Sequence, residues 1–104
     1  MFTLLFWLSL VNPMVVDPQL NTRAQVRAEY LCTHAWSHDG WLTSFKEIPY
    51  QYAGENLAKG FPQPVDSFNA LMASPSHRAN IMNPLYTHVG WANACGIDVL
   101  LFRG

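Results

Sequence analysis

The chain has few charged residues and no run of either charge. Charged residues make up 12% of its 104 positions, and six Lys and Arg against seven Asp and Glu leave a formal net charge of −1. No basic cluster is present to neutralise a row of phosphates, which argues against a nucleic-acid partner. Half of the residues are hydrophobic, so the chain can bury enough apolar surface to fold, and its length predicts a single domain over residues 1–104.

The chain also lacks a hydrophobic run long enough to cross a membrane. The opening segment MFTLLFWLSLVNPMVV is interrupted at Asn12 and Pro13, well before the ~20 apolar residues that a bilayer crossing requires. It has the apolar centre of a secretion signal but neither a basic start nor a small-x-small cleavage site. Two interpretations of residues 1–11 stay open: a remnant of a signal peptide, or a short first helix packed on the domain.

Cysteine is scarce, with only Cys32 and Cys95. No CxxC motif occurs, so the pattern indicates neither a cysteine-based zinc site nor a redox centre. A disulfide between the two would close a loop of 63 residues and stabilise the fold by about 4 kcal/mol in the chain-entropy model. Two buried free thiols explain the pair equally well.

The first clear helix signal is Asp17-Pro18, because Asp can accept hydrogen bonds from free N–H groups and Pro suits the first helical position. We predict an amphipathic helix from there to about Trp36, ended by a left-handed turn at Gly40. Apolar residues recur at steps of three and four along one face of this helix: Leu20, Ala24, Ala28, Leu31 and Ala35.

Two further helices are predicted on either side of Ser74-Pro75. Apolar residues at helical spacing begin near Pro64, and this helix must break before Pro75, because proline disfavours helical geometry in the preceding residue. Ser74 is a good N-cap and Pro75 a good first residue, so a short helix with the sequence PSHRANIM follows at once. This arrangement places His77 in the first turn of a helix.

The C-terminal part contains two strand-like runs, about 86–92 and 97–102, with turn residues between them. We interpret them as an antiparallel hairpin. Residues 40–54 show no clear period, which is typical of a loop with short extended pieces. Helices followed by terminal strands favour an α+β domain built from packed layers.

Three residues are candidates for chemistry: His38, Glu55 and His77. Each is predicted at the boundary of an element, from which side chains commonly converge on a cleft. The positive end of a helix dipole helps to keep the His77 ring neutral, the form that binds a metal. Two imidazoles and one carboxylate make a plausible zinc set with a position left for water, although their spacing matches no ligand motif.

Simpler explanations exist for the same residues. Glu55 and Lys59 are four apart, so on a helix they would pair at the surface for ~0.3 kcal/mol. Ser74 is explained by capping, and His38 by a cap on the preceding helix. His34 and His38 form an HxxxH pair that could ligate a metal only on a continuous helix, which Gly40 makes doubtful.

Aromatic residues flank these candidates. They more often form core or cleft wall than a dedicated ligand box: Trp36, Trp41, Tyr50 and Tyr52. The acyl-transfer motif GxSxG is absent, so the serines near His77 indicate no nucleophile.

Four segments in this order resemble the CAP superfamily, the SCP domain shared by cysteine-rich secretory proteins, antigen 5 and plant pathogenesis-related proteins. They are DPQLNTRAQVRAEYL, WSHDGW, AGENLAKG and SPSHRANIMNPLYTHVGWA. GENLA and SPSHR are the most specific, and the resemblance, closest to the bacterial branch, covers roughly residues 12–104.

The resemblance implies a three-layer α-β-α sandwich with a central antiparallel sheet and a cleft lined by a His/Glu tetrad. The tetrad's two histidines match His38 and His77, which are the family's chief metal ligands, and its first glutamate matches Glu55. The second glutamate falls near Ser74, where this chain has no carboxylate. We therefore expect His38, Glu55, His77 and Ser74 to form the ligand-binding cleft, with zinc or another divalent metal on the two histidines.

The chain also departs from the family pattern at its start, because only MFTLLFWLSLV precedes the matched region. The first helix is therefore shortened or replaced, which could expose apolar surface that a second copy, as a homodimer, or another partner covers.

The resemblance implies a secreted protein that binds a small molecule, a lipid or a peptide. The alternative is a metal-dependent hydrolase of peptidase type, in which Glu55 acts as the general base. Its weak points are the missing second carboxylate and the lack of a recognisable oxyanion arrangement. A purely structural interaction domain would need no site at all.

Overall fold

The structure is a computed structural model that describes residues 3–104, so the first two residues of the apolar start lie outside the described part. The helices are α1 (Leu4–Ser9), α2 (Pro18–Thr33), α3 (Pro64–Ala73) and α4 (Pro75–Met82), with a short 3-10 helix over Trp41–Phe45. The strands are β1 (Val15–Val16), β2 (Ala53–Lys59), β3 (His88–Ala94) and β4 (Ile97–Arg103).

The four strands form one sheet in the order β1-β3-β4-β2. Strands β2, β3 and β4 pair antiparallel, whereas the two-residue β1 lies parallel to β3 at the edge. Strands β3 and β4 form the predicted hairpin, joined through Cys95 and Gly96, whose φ angles are both positive, 54° and 72°. Two successive positive φ values are typical of a type I′ turn, which matches the twist of the flanking strands.

Helices cover both faces of the sheet, so the predicted three-layer α-β-α sandwich is confirmed. Helix α2 packs on one face through its apolar stripe, and its backbone approaches β3 so closely at Gly90 that a side chain there would overlap Leu20. The residues of this core are Leu20, Ala24, Ala28, Leu31, Phe45, Ile48, Leu57, Ala92, Ile97, Val99 and Leu101. Helices α1, α3 and α4 cover the other face, around Leu71, Ile81 and Phe102.

Helix α1 has six residues, Leu4–Ser9. Leu4 and Leu8 are buried against the sheet and α3, so this part of the apolar start packs on the domain. Leu10 and Val15 remain well exposed, and the homodimer through this segment stays a prediction.

Two boundaries differ from the sequence analysis. Helix α2 ends at Thr33 rather than near Trp36, because His34 is already extended. Residues 53–59 form a strand rather than part of a loop or a helix, and its five central residues are all buried. A strand buried on both faces shows no alternation of apolar and polar residues, so periodicity does not reveal it.

The two cysteines form a disulfide, which decides between the two interpretations of the sequence. Cys32 lies in the last turn of α2 and Cys95 in the hairpin turn, with their Cα atoms 5.9 Å apart. The bond therefore ties the end of a helix to a turn that is 63 residues away in the sequence.

Candidate functional site

Glu55 lies in the middle of β2, opposite Leu101 of β4, and its side chain is completely buried. Its Oε2 accepts a hydrogen bond of 2.8 Å from Nε of Arg27, and its Oε1 accepts one of 3.3 Å from Nη2. The Arg27 side chain is itself only 5% exposed. Because two buried charges are tolerated only when they are paired and hydrogen-bonded, this two-point contact explains how Glu55 can lie under the cleft.

Arg27 also fixes the loop that carries His38. Its Nη2 donates to the carbonyl of Ser37 and its Nη1 to the carbonyl of Asp39, both at 3.1 Å. One guanidinium thus holds the backbone on either side of His38 and the carboxylate that His38 contacts.

His38 projects from this loop with 56% of its side chain exposed, and its Nδ1 lies 2.8 Å from Oε1 of Glu55. An ionised carboxylate only accepts hydrogen bonds, so Nδ1 must carry the proton. In the neutral ring the other nitrogen, Nε2, then has a free lone pair. Glu55 therefore selects the tautomer of His38 that can bind a metal ion or accept a proton.

His77 lies in the first turn of α4, as predicted, and its Nδ1 is 2.8 Å from Oγ of Ser74. Burial, together with the nearby His38, lowers the pKa of His77 below its ordinary value. Both effects oppose an imidazolium, so His77 is neutral at pH 7. Ser74 is at the N-cap position, but its hydroxyl makes no capping hydrogen bond; it contacts the His77 ring instead, which corrects the capping explanation.

Two asparagines lock α4 onto β2 beside the site. Asn56 donates to the carbonyl of His77 at 3.0 Å. Asn80 donates to Oδ1 of Asn56 at 2.8 Å and to the carbonyl of Glu55 at 3.4 Å. These contacts fix the distance between the helix that carries His77 and the strand that carries Glu55.

His38, His77 and Ser74 line one cleft of about 590 Å³. Its remaining wall is mostly apolar and consists of Trp36, Ser37, Leu57, Ala58, Lys59, Phe61, Ala70 and Leu71. The structure therefore brings the predicted histidines and serine to one surface, with Glu55 behind His38 and away from the open space. Of the flanking aromatics, Trp36 is cleft wall, whereas Trp41 and Tyr50 pack on Phe45.

Glu55 does not lie where a third metal ligand would. Both of its oxygens are engaged, and no group of three or more His, Cys, Asp or Glu side chains within residues 3–104 is arranged to hold a metal ion. The HxxxH pair is also broken, because His34 follows α2 directly and stacks on Tyr30 at a centroid distance of 3.7 Å. The surface pair of Glu55 with Lys59 is excluded by the strand.

Arg27 is the residue that the sequence analysis missed. It lies three residues after Ala24 and four before Leu31, at the border of the buried stripe of α2. A cation at that spacing in an otherwise apolar stripe is the available signal for a buried partner carboxylate.

A three-layer sandwich whose cleft gathers two histidines above a buried glutamate defines an SCP-type domain. The chain belongs to the CAP family, because the model of the cysteine-rich secretory protein family matches residues 10–98. It is 51% identical to the uncharacterized protein YkwD of Bacillus subtilis over 77% of this chain and 34% of that protein.

Solved structures show the same fold. An extracellular protein containing a SCP domain from Bacillus anthracis matches with a TM-score of 0.82 at 21% identity, over 86% of this chain and 33% of that one. A cysteine-rich secretory protein from Staphylococcus aureus matches with a TM-score of 0.77 at 19% identity, over 93% of this chain and 34% of that one. An outer surface protein from Borrelia burgdorferi matches with a TM-score of 0.71 at 22% identity, over 86% of this chain and 76% of that one.

The chain thus spans about a third of the length of the Bacillus subtilis relative and of the first two structures. Within residues 3–104, no helix has the length and apolar character needed to cross a membrane.

Proposed function

We propose that this domain is a secreted binding module whose cleft holds a divalent metal ion, zinc in the first instance, between His38 and His77. The cleft would present that ion to a small molecule, a lipid or a peptide. The observation that carries the proposal is that each ring is anchored through Nδ1, to Glu55 in one case and to Ser74 in the other. The Nε2 atoms are the nitrogens left for a ligand.

The donor set suits zinc. Zinc accepts neutral imidazole nitrogens, and the second nitrogen of a ligating histidine is usually held by a carboxylate or another polar group, as both are here. With two protein ligands, the remaining positions would be filled by water or by the bound molecule, and the ion would supply Lewis acidity there. In this arrangement His38 and His77 would hold the ion, Glu55 and Ser74 would orient the two rings, and Arg27 would hold Glu55 in place through the buried ion pair.

Secretion is supported by two observations. The disulfide between Cys32 and Cys95 is of the kind that persists in oxidising compartments. The structural neighbours include an extracellular protein, a secretory protein and an outer surface protein.

Zinc titration by calorimetry tests the proposal. We expect saturable binding by the wild-type domain and its loss in both His38→Ala and His77→Ala, because each removes one ligand. His34→Ala is the matched control, since His34 is an exposed ring outside the cleft. Binding that survives in either cleft variant, or that disappears in the control, would contradict a shared ion.

Two serine variants in the same titration distinguish a capping role of Ser74 from a role in holding the His77 ring. Ser74→Ala is expected to weaken zinc binding by about tenfold, the lower end for the loss of a partner behind a ligand. Stability should change little, because the hydroxyl caps nothing. Ser76→Ala, at an exposed position in the same turn, should change neither quantity.

A hydrolase remains the second candidate, because the carboxylate and imidazole pair of Glu55 and His38 is an arrangement that general bases use. With Glu55 buried and held by Arg27, the proton would be accepted by Nε2 of His38, and Glu55 would orient the ring. Turnover of a peptide or ester library that persists in chelator and is abolished by His38→Gln would support this enzyme, because Nε2 of His38 cannot bind a metal ion and accept a proton at the same time. Zinc binding without turnover of any library member would favour the binding module over the hydrolase.

A further inference from the structure

We propose that the ligand of this cleft is a small organic acid with an aromatic body, whose carboxylate binds Lys59 and whose ring lies against Trp36 and Phe61. The inference rests on the proposed function only in taking the cleft as the binding site. It requires no metal ion, so it can fail or succeed separately from zinc binding.

The charge of the cleft selects for anions. When its histidines are neutral, Lys59 is the one formally charged side chain among the described residues that line it. The nearby carboxylate of Glu55 does not offset this charge, because it is fully buried and already paired with Arg27. A cationic ligand would therefore meet a cleft of its own sign, whereas an anionic ligand would meet an available partner.

Lys59 is held at the cleft without being neutralised. It is the last residue of β2, and its ammonium nitrogen lies 5.6 Å from the centre of the Trp36 ring, within range of a cation–π interaction. None of the ion pairs found within residues 3–104 includes it. The ring restricts the side chain, while the N–H donors remain available for a carboxylate.

The walls of the cleft suit a flat apolar body. Trp36 is 47% exposed and Phe61 38% exposed, although aromatic rings gain most from burial. Leu57 and Leu71, which line the same cleft, are buried. The volume of about 590 Å³ lies within the range of small-molecule sites. A rigid ring loses less conformational freedom on binding than a flexible acyl chain does, which favours the aromatic acid.

The test compares three probes that share one ring system and differ in charge: naphthoate, naphthalenemethanol and naphthylmethylamine. Each is titrated into the domain in the presence of EDTA, and affinity is read from amide shifts of residues 36–38 and 57–61 in heteronuclear NMR spectra. Naphthoate should bind about fivefold more tightly than the neutral alcohol, the upper end for one solvent-exposed ion pair, and the amine should bind most weakly.

Two lysine variants show whether the preference for naphthoate depends on Lys59. Lys59→Gln should remove the preference for naphthoate over the alcohol and leave alcohol binding unchanged. Lys46→Gln is the matched control, because Lys46 is exposed, forms no ion pair within residues 3–104 and does not line the cleft. Trp36→Ala should weaken all three probes, since it removes a wall that they share.

Equal affinity for the three probes would overturn the proposal, and so would a preference that survives in Lys59→Gln or shifts confined to another surface. Failure of all three probes to bind would also overturn it. Zinc binding by the wild-type domain is measured in a separate titration, so the result for the metal site does not depend on the result for the organic acid.

Discussion

Arg27→Met is expected to lower the free energy of unfolding by about 3–5 kcal/mol, the cost of leaving one member of a buried ion pair without its partner. The Glu55 side chain is completely buried and the Arg27 side chain nearly so. The variant also removes the donor to the backbone carbonyls of Ser37 and Asp39. Urea denaturation followed by circular dichroism measures the change.

Arg23→Met is the matched control for this prediction. Arg23 lies one turn earlier on α2 and donates to the carbonyl of Ser44, but it forms no ion pair within residues 3–104. Its replacement should cost well under half as much. An equal loss in the two variants would show that the burial of the Arg27 and Glu55 pair does not set the stability of this region.

A double variant separates the stability of the pair from its effect on the cleft. Replacing a buried pair with apolar residues of similar size is often neutral for stability, so Arg27→Met with Glu55→Leu should recover much of what Arg27→Met loses. It should not recover zinc binding, because the His38 ring has lost the carboxylate that fixes its tautomer. Recovery of both quantities would show that Glu55 does not orient His38.

Removal of the disulfide is expected to cost about 4 kcal/mol, from the loop of 63 residues that it closes. Cys32→Ala with Cys95→Asn is the suitable variant, since Cys95 has a positive φ of 54°, a conformation that Asn tolerates better than Ala. The free energy of unfolding, measured in urea without reductant, should fall by that amount.

Wild-type protein in reductant provides the control for this variant, and it should lose a similar amount. The His77 ring should keep its contact with Ser74 in the folded variant, because both lie on the side of the sheet away from α2. A loss below about 1 kcal/mol would mean that the unfolded chain is already as restricted as the cross-linked one.

Several elements follow from local signals and were predicted. Asp17 caps α2 by accepting from the N–H of Gln19 at 2.9 Å, as its position before Pro18 indicates. Pro75 separates α3 from α4 at the predicted residue. In each case one or two neighbouring residues restrict the backbone by their own chemistry, so no distant contact is needed to recognise the element.

Other features could not be predicted from the sequence, because they depend on contacts between distant segments. Strand β2 contains a pair, Glu55 and Lys59, that would suit a helix surface, and only its pairing with β4 over seven residues makes it a strand. The burial of Arg27 depends in the same way on a carboxylate 28 residues further along the chain.

The sequence by itself determined the family motifs, the helix boundary at Ser74 and Pro75, and the two histidines and glutamate of the candidate site, because these are properties of residues and their near neighbours. Only the tertiary structure decided what each group does. It buried Glu55 behind His38 rather than in the cleft, and left Lys59 as the exposed charge there. The physical reason is that burial and ion pairing are set by segments that meet only when α2, β2 and the loop before Gly40 pack together.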